Sequence, residues 1–201
     1  MCQRVSKTNS QISRKRSEKI ISDLKTILND TYKFEFRLVG SAKRNTIVQD
    51  RNGWYDLDYQ LLLTHNSKES LSADVVKPIF LSAFDRVKNR NERVENSTTA
   101  ITVIDNEHNY SIDFVILKIL KDPSLILRRS NHPVNPSMNR YIWNQLPQVN
   151  NAYIKFDEMS DEQKQDICDN YIIPRKCSEK MKDESIRISS LRIFVEEVNN
   201  Y

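Results

Sequence analysis

The chain has almost no glycine: two residues in 201, Gly40 and Gly53. Where glycine is this scarce, each one marks a point at which the backbone needs positive φ or close approach to another group. Cysteine is scarce too. Cys2, Cys168 and Cys177 are odd in number, form no C-x-x-C pattern and have no paired histidines beside them, which argues against a zinc site. The expectation is reduced structural thiols. No apolar run approaches the ~20 residues of a membrane span, and the start, Met1-Cys2-Gln3-Arg4, has no apolar signal core. These absences point to a soluble, cytoplasmic protein with no membrane contact. The three histidines, His65, His108 and His132, share no spacing and read as loop residues. No Ser/His/Asp triad assembles, because Ser41 has no histidine with a claim on it.

What is present is charge. An apolar fraction of 38% with 29% charged residues is that of a folded, highly charged globular protein. The length suits one domain with a helical annex. The formal charge of +4 is concentrated at the amino end, where Arg4, Lys7, Arg14, Lys15, Arg16 and Lys19 face only Glu18. Such an end attracts nucleic acid or triphosphate. A solvated helix face is the simpler explanation.

Apolar spacing predicts a helix over 10–29 with Ser10 as its N-cap, then a strand from Tyr32 to Leu38 that delivers the chain to Gly40-Ser41. Residues 42–54 are polar and basic, with a turn at Asn52-Gly53. Asp50-Arg51-Asn52-Gly53 lacks the spacing of a calcium loop and reads as a plain turn. Tyr55 to Leu63 is a strand with Asp56 and Asp58 at its entering end and Tyr55 and Tyr59 on the opposite, core-facing side. A helix follows between Ser72 and Lys88, interrupted near Lys77 by Pro78. Residues 97–117 form a hairpin about the turn 105–109, with Asp113 in mid-strand between Ile112 and Phe114. Three of six prolines lie in 122–137, predicted to be a linker, and helical candidates follow at 138–146, 160–172 and 184–198. Trp54 and Trp143 are packing residues as readily as base-stacking ones. The fold class is α+β: a mixed, mainly antiparallel sheet with flanking helices, a core over 1–121, a linker over 122–137 and an annex over 138–201.

The chemistry concentrates in Gly40-Ser41, Asp56-Leu57-Asp58 and Asp113. Carboxylates gathered on one face repel unless a cation neutralises them. All-oxygen ligands favour magnesium or manganese over zinc. A glycine-serine turn offers backbone N–H groups and a hydroxyl to phosphate.

These motifs resemble the DNA polymerase β-like nucleotidyltransferase superfamily, whose pattern is hG[GS], a variable loop, [DE]h[DE]h and a separate h[DE]h. The order of elements is most similar to its oligoadenylate synthetase and cyclic GMP-AMP synthase-like branch, over roughly residues 10–120. The resemblance implies a two-metal transfer of a nucleoside monophosphate from a nucleoside triphosphate to an acceptor hydroxyl, with release of pyrophosphate. Asp56 and Asp58 would ligate two magnesium or manganese ions; Asp113 would ligate one and help deprotonate the acceptor. Gly40, Ser41, Arg44 and Thr46 would bind the nucleotide. Asn45 stands where the family often has another glycine. The lysine that steadies the triphosphate is open among Lys118, Arg128, Arg140, Arg175 and Lys176. The alternatives are a catalytically degenerate nucleotide-binding member or an antitoxin-like interaction module of the same fold.

Overall fold

The computed structural model describes residues 2–64, 72–119, 124–130, 140–146 and 150–201. His65 and His132 lie outside them. The chain opens with a two-residue strand, β1 (Gln3–Arg4), and a long helix, α1 (Lys7–Leu28). Helix α1 starts earlier than its periodicity implies because Ser6, not Ser10, is the N-cap: its side chain accepts from the Asn9 N–H. Strand β2 (Phe34–Val39) leads into one helical turn, α2 (Gly40–Lys43), followed by β3 (Val48–Gln49), β4 (Tyr55–Leu63) and α3 (Ala73–Val87). Pro78 sits inside α3 without ending it. Then come β5 (Glu92–Asn96), β6 (Ala100–Asp105), β7 (Tyr110–Lys118), β8 (Leu125–Arg129) and β9 (Tyr141–Gln145).

The main sheet has the order β2-β4-β7-β6-β5, and β8 joins the end of β7 and carries β9. Among the described residues, only the β4–β7 pair of this sheet is parallel; its other pairs are antiparallel. Residues alternate along β4, so Tyr55, Leu57, Tyr59, Leu61 and Leu63 are buried while Asp56, Asp58 and Gln60 face the other way. The buried face packs on Ile20, Ile21 and Leu24 of α1 and Val76, Phe80 and Phe84 of α3. The core therefore occupies one side of the sheet and leaves the other for the carboxylates.

Two expectations fail here. Residues 138–146, read as helical, hold β9, and the stretch read as a linker contains β8; both extend the sheet past residue 121. Tyr141, Ile142 and Trp143 are short-range ambiguous, and pairing with β8 decides them. The remainder is helical: α4 (Asn150–Glu158), α5 (Asp161–Ile167), a π-helical segment at Cys168–Ile172, α6 (Ile173–Lys180), a 3-10 turn at Glu184–Ile186 and α7 (Ser190–Asn200). This annex has its own small core of Ala152, Phe156, Ile167, Cys168, Ile172, Phe194 and Val198. Cys168 is a free, buried thiol, as expected. Cys2 and Cys177, in contrast, are joined in a disulfide that ties the amino end to α6. Their separation of 175 residues carried no sequence signal for pairing. Among the described residues, no helix is long and apolar enough to cross a membrane.

Candidate active site

Strand β2 ends at Val39, and Gly40 turns the chain in the left-handed region at φ +62°. A side chain there would collide with the sheet, since a Cβ on Gly40 would lie 2.3 Å from Asp58 Oδ2. Glycine is thus required twice, by conformation and by space. The turn continues through Ser41 into Asn45, which also has positive φ, at 56°. Asparagine is among the few side chains that tolerate this conformation, so it supplies the turn that a further glycine would otherwise make.

Parallel register places Asp58 opposite Asp113 and Asp56 opposite Ser111. All three carboxylates therefore leave the same face of adjacent strands. Ser111 Oγ donates to Asp56 Oδ1 at 2.6 Å, and Thr102 Oγ1, across the β6–β7 ladder, donates to Asp113 Oδ1 at 2.6 Å. Burial, with Asp113 and Asp56 beside it, pushes the Asp58 carboxyl up to about 6 despite the opposing charges of Lys176 and Arg44. Asp113 is also raised, by burial and by Asp56, against the pull of the Thr102 hydroxyl. Burial and mutual repulsion thus penalise three bare carboxylates on this face, a cost that a proton at lower pH or a bound cation relieves.

Helix α6 closes the site from the annex. Its Lys176 is buried, and the Nζ donates to Ser41 Oγ at 2.6 Å and to Thr46 O and Oγ1 at 3.1 and 3.3 Å. Burial draws this amine down to about 8, with Arg44 adding to the effect and Asp58 opposing it. One turn later Lys180 Nζ stands 3.8 Å from Asp56 Oδ2. Ser41, Asp56, Asp58, Asp113, Lys176 and Lys180 line one cleft of about 180 Å³, reached also by Ser190 at the start of α7.

Of the residues expected from sequence, Gly40, Ser41, Asp56, Asp58 and Asp113 come together. Thr46 is buried and serves as a hydrogen-bond partner of Lys176. Arg44 stacks on the annex, its guanidinium 4.0 Å from the Phe194 ring centre and 5.2 Å from that of Tyr153, and burial lowers its pKa. Among the five cations left open, Lys176 is the one on the cleft; Arg175 pairs with Glu196 and Glu197. Ser111, Thr102, Lys180 and Ser190 were missed. Ser111 was findable, since it shares Asp113's strand face, and Lys180 follows Lys176 by one helical turn. Thr102 needed the β6–β7 register. The basic amino end is largely spent internally: Arg4 pairs with Asp169, Arg14 donates to Ala42 O, Arg16 pairs with buried Glu92 and Lys19 with Asp23.

Among the described residues, no group of three or more His, Cys, Asp or Glu side chains is arranged to hold a metal ion by itself. The donor chemistry nonetheless fits a hard divalent cation. The ligands available are carboxylate oxygens, two of them, on Asp58 and Asp113, raised in pKa first by burial and then by neighbouring carboxylates. Magnesium is ordinarily held by one or two carboxylates together with substrate phosphates, not by an all-protein cage.

No protein-family model matches the chain, and no curated protein matches it. Solved structures do. The chain is similar to Escherichia coli DncV in its 3'-deoxy GTP bound form, with a TM-score of 0.66 at 13% identity over 98% of this chain and 69% of that one. A STING-associated CdnE c-di-GMP synthase from Capnocytophaga granulosa gives 0.68 at 20% identity over 98% of this chain and 61% of that one. A CdnE cyclic dinucleotide synthase from Elizabethkingia meningoseptica, solved with GTP and Apcpp, gives 0.60 at 17% identity over 92% and 68%. The chain thus spans 61 to 69% of the length of these proteins. At this level of identity the likeness is one of architecture, and the architecture is that of the polymerase β-like nucleotidyltransferase fold as these cyclic dinucleotide synthases carry it.

Proposed function

We propose that the protein is a nucleotidyltransferase that moves a nucleoside monophosphate from a nucleoside triphosphate to an acceptor hydroxyl. The observation that carries this reading is the convergence of Asp56, Asp58 and Asp113 on one sheet face, opposite a buried lysine hydrogen-bonded to the Gly40-Ser41 turn. The bound nucleotides named for the similar DncV and CdnE structures support it.

In this reading Ser41 and Lys176 receive the triphosphate, the lysine as a fixed cation whose bonds to Ser41 and Thr46 hold it in place. Asp56 and Asp58 would hold two magnesium or manganese ions and Asp113 one of them. When bound, such ions supply charge neutralisation for the leaving pyrophosphate and lower the pKa of the acceptor hydroxyl. The acceptor oxygen forms a bond to the α-phosphorus as the bond from that phosphorus to the β-bridging oxygen breaks, and pyrophosphate leaves. Asp113, raised by burial, stands ready to take the acceptor's proton. Ser111 and Thr102 fix the rotamers of Asp56 and Asp113. Catalysis on such a site is mostly positioning and electrostatics.

The test is incubation with each α-labelled triphosphate and magnesium or manganese, comparing wild type with Asp56→Ala and Asp113→Ala. Labelled product from wild type and from neither variant is the expected result. Absence of product with every triphosphate, together with no metal-dependent nucleotide binding, sinks the reading. Nucleotide binding without product identifies a degenerate member of the fold.

A further inference from the structure

A second cavity, about 300 Å³, opens beside the carboxylate cleft and shares Lys180 with it. One wall is the turn at Asp50–Asn52; the other is the hook from Lys180 to Arg187 that joins α6 to α7. Arg51, Lys180, Lys182 and Arg187 contribute four positive charges, against Asp50 and Asp183.

Both walls are built in advance. Asp50 Oδ1 accepts from the Asn52 and Trp54 N–H groups at 2.8 and 2.9 Å, which ties its carboxylate to the turn. Across the cavity, Arg187 donates to the carbonyls of Lys182 and Lys180 at 2.8 and 3.1 Å, and Glu179 accepts from the Ile188 N–H at 3.0 Å. The hook is therefore closed by its own hydrogen bonds, with Lys182 held on Glu179. Arg51 stands exposed on the facing turn. The volume corresponds to roughly ten water molecules, room for a hydrated di- or triphosphate.

We propose that this cavity is a second oligophosphate-binding site, reached from the carboxylate cleft by way of Lys180. The guanidinium of Arg51 and the amines of Lys180 and Lys182 match a phosphate chain in charge and in hydrogen-bond donors. Lys180 Nζ, 3.8 Å from Asp56, spans the boundary between the cation-binding face and the basic cavity. The choice of phosphate over carboxylate ligands rests on the nucleotidyltransferase reading of the neighbouring cleft. The site itself does not. Its ligand comes from one of two sources, the phosphates of the acceptor or the pyrophosphate that leaves the donor.

Calorimetric titration of the whole chain with inorganic pyrophosphate in chelator tests the site without requiring turnover. Wild type is expected to show two classes of site. Arg51→Glu weakens one class about tenfold or more, as a charge reversal at a phosphate contact does, while Arg51→Lys retains it and both variants keep the wild-type thermal midpoint. Lys176→Met weakens the other class and leaves the Arg51-dependent one in place. Pyrophosphate binding indifferent to Arg51→Glu, in one class or two, overturns the proposal. With turnover, a raised KM for a phosphorylated acceptor in Arg51→Glu assigns the site to the acceptor, and a raised pyrophosphate inhibition constant assigns it to the leaving product. Arg51-dependent pyrophosphate binding in a protein that turns over no triphosphate keeps this site and overturns the enzymatic reading. Turnover without Arg51-dependent binding does the reverse.

Discussion

Gly40 and Asp58 are packed so closely that Gly40 cannot take a side chain without displacing the Asp58 carboxylate. With φ at +62° and Asp58 Oδ2 where a Cβ would go, Gly40→Ala must both strain the backbone and push the carboxylate off its face. The left-handed conformation alone costs an alanine about 1–2 kcal/mol, and the clash adds to it. Urea denaturation should show a loss of about 2–4 kcal/mol. An unchanged midpoint would mean that the turn differs from the one described. Asp58 gives a second, opposite prediction. Its folded-state pKa of about 6 lies above the ordinary carboxylate value near 4, so folding takes up a proton between those values. A raised pKa stabilises the fold below about pH 4, and that stability is lost as pH rises through about 6. In chelator, wild-type stability should therefore fall across this window, and Asp58→Asn should be more stable than wild type at pH 7 by about 1–3 kcal/mol. Magnesium should reduce the difference. Thermal midpoints of both proteins from pH 4 to 7 check it, and an Asn variant less stable than wild type at pH 7 contradicts it.

At the scale of elements, Arg44 shows what sequence spacing alone leaves undecided. It stands in the loop between the Gly-Ser turn and the D-x-D, where a phosphate contact is the natural expectation. Its guanidinium instead lies over Phe194 of α7 and close to Tyr153 of α4, joining the turn to the annex. Arg44→Ala should loosen α7 against the turn and cost about 1–3 kcal/mol through lost packing and cation–π contact. Its effect on triphosphate binding should be smaller than that of Lys176→Ala; equal losses would return Arg44 to the nucleotide. Strands β4, β6 and β7 were legible because period-two alternation and β-branched runs report burial on one face. The carboxylate trio followed from the same alternation. Strand β9 and helix α6 were not legible: Tyr141–Gln145 is too short for its period to be decisive, and α6 begins without a cap, out of the π-helical segment at Cys168–Ile172. Since α6 delivers Lys176 and Lys180, both lysines of the site depended on an element that local pattern does not announce.

At the scale of the whole molecule, the long-range ties that hold the annex to the rest of the chain include Lys176 on Ser41 and Thr46, Arg4 with Asp169, and the Cys2–Cys177 disulfide. The last two act through β1, which pairs with β3 only at Gln3–Gln49 and Arg4–Val48. A ladder this short has little stability of its own, and the half-exposed Arg4–Asp169 pair adds at most about 1 kcal/mol. The disulfide is then what keeps β1 in place. Closing a loop of 175 residues restricts the unfolded chain by up to about 5 kcal/mol in the entropic picture. Reduction, or Cys2→Ser, should lower unfolding stability by about 2–5 kcal/mol. The loss should begin locally. The Val5 N–H, which donates to Ile47 O at 3.0 Å, should exchange with solvent much faster in the reduced protein, whereas amides of β4 and β7 should exchange only with global unfolding. Because Lys176 is held by its own hydrogen bonds and by the annex core behind it, the cleft should outlast β1 on reduction. Hydrogen exchange followed by mass spectrometry, with and without reductant, separates these outcomes. If α6 and β1 lose protection together, Lys176 relies on the disulfide, and nucleotide binding should then weaken in step with reduction.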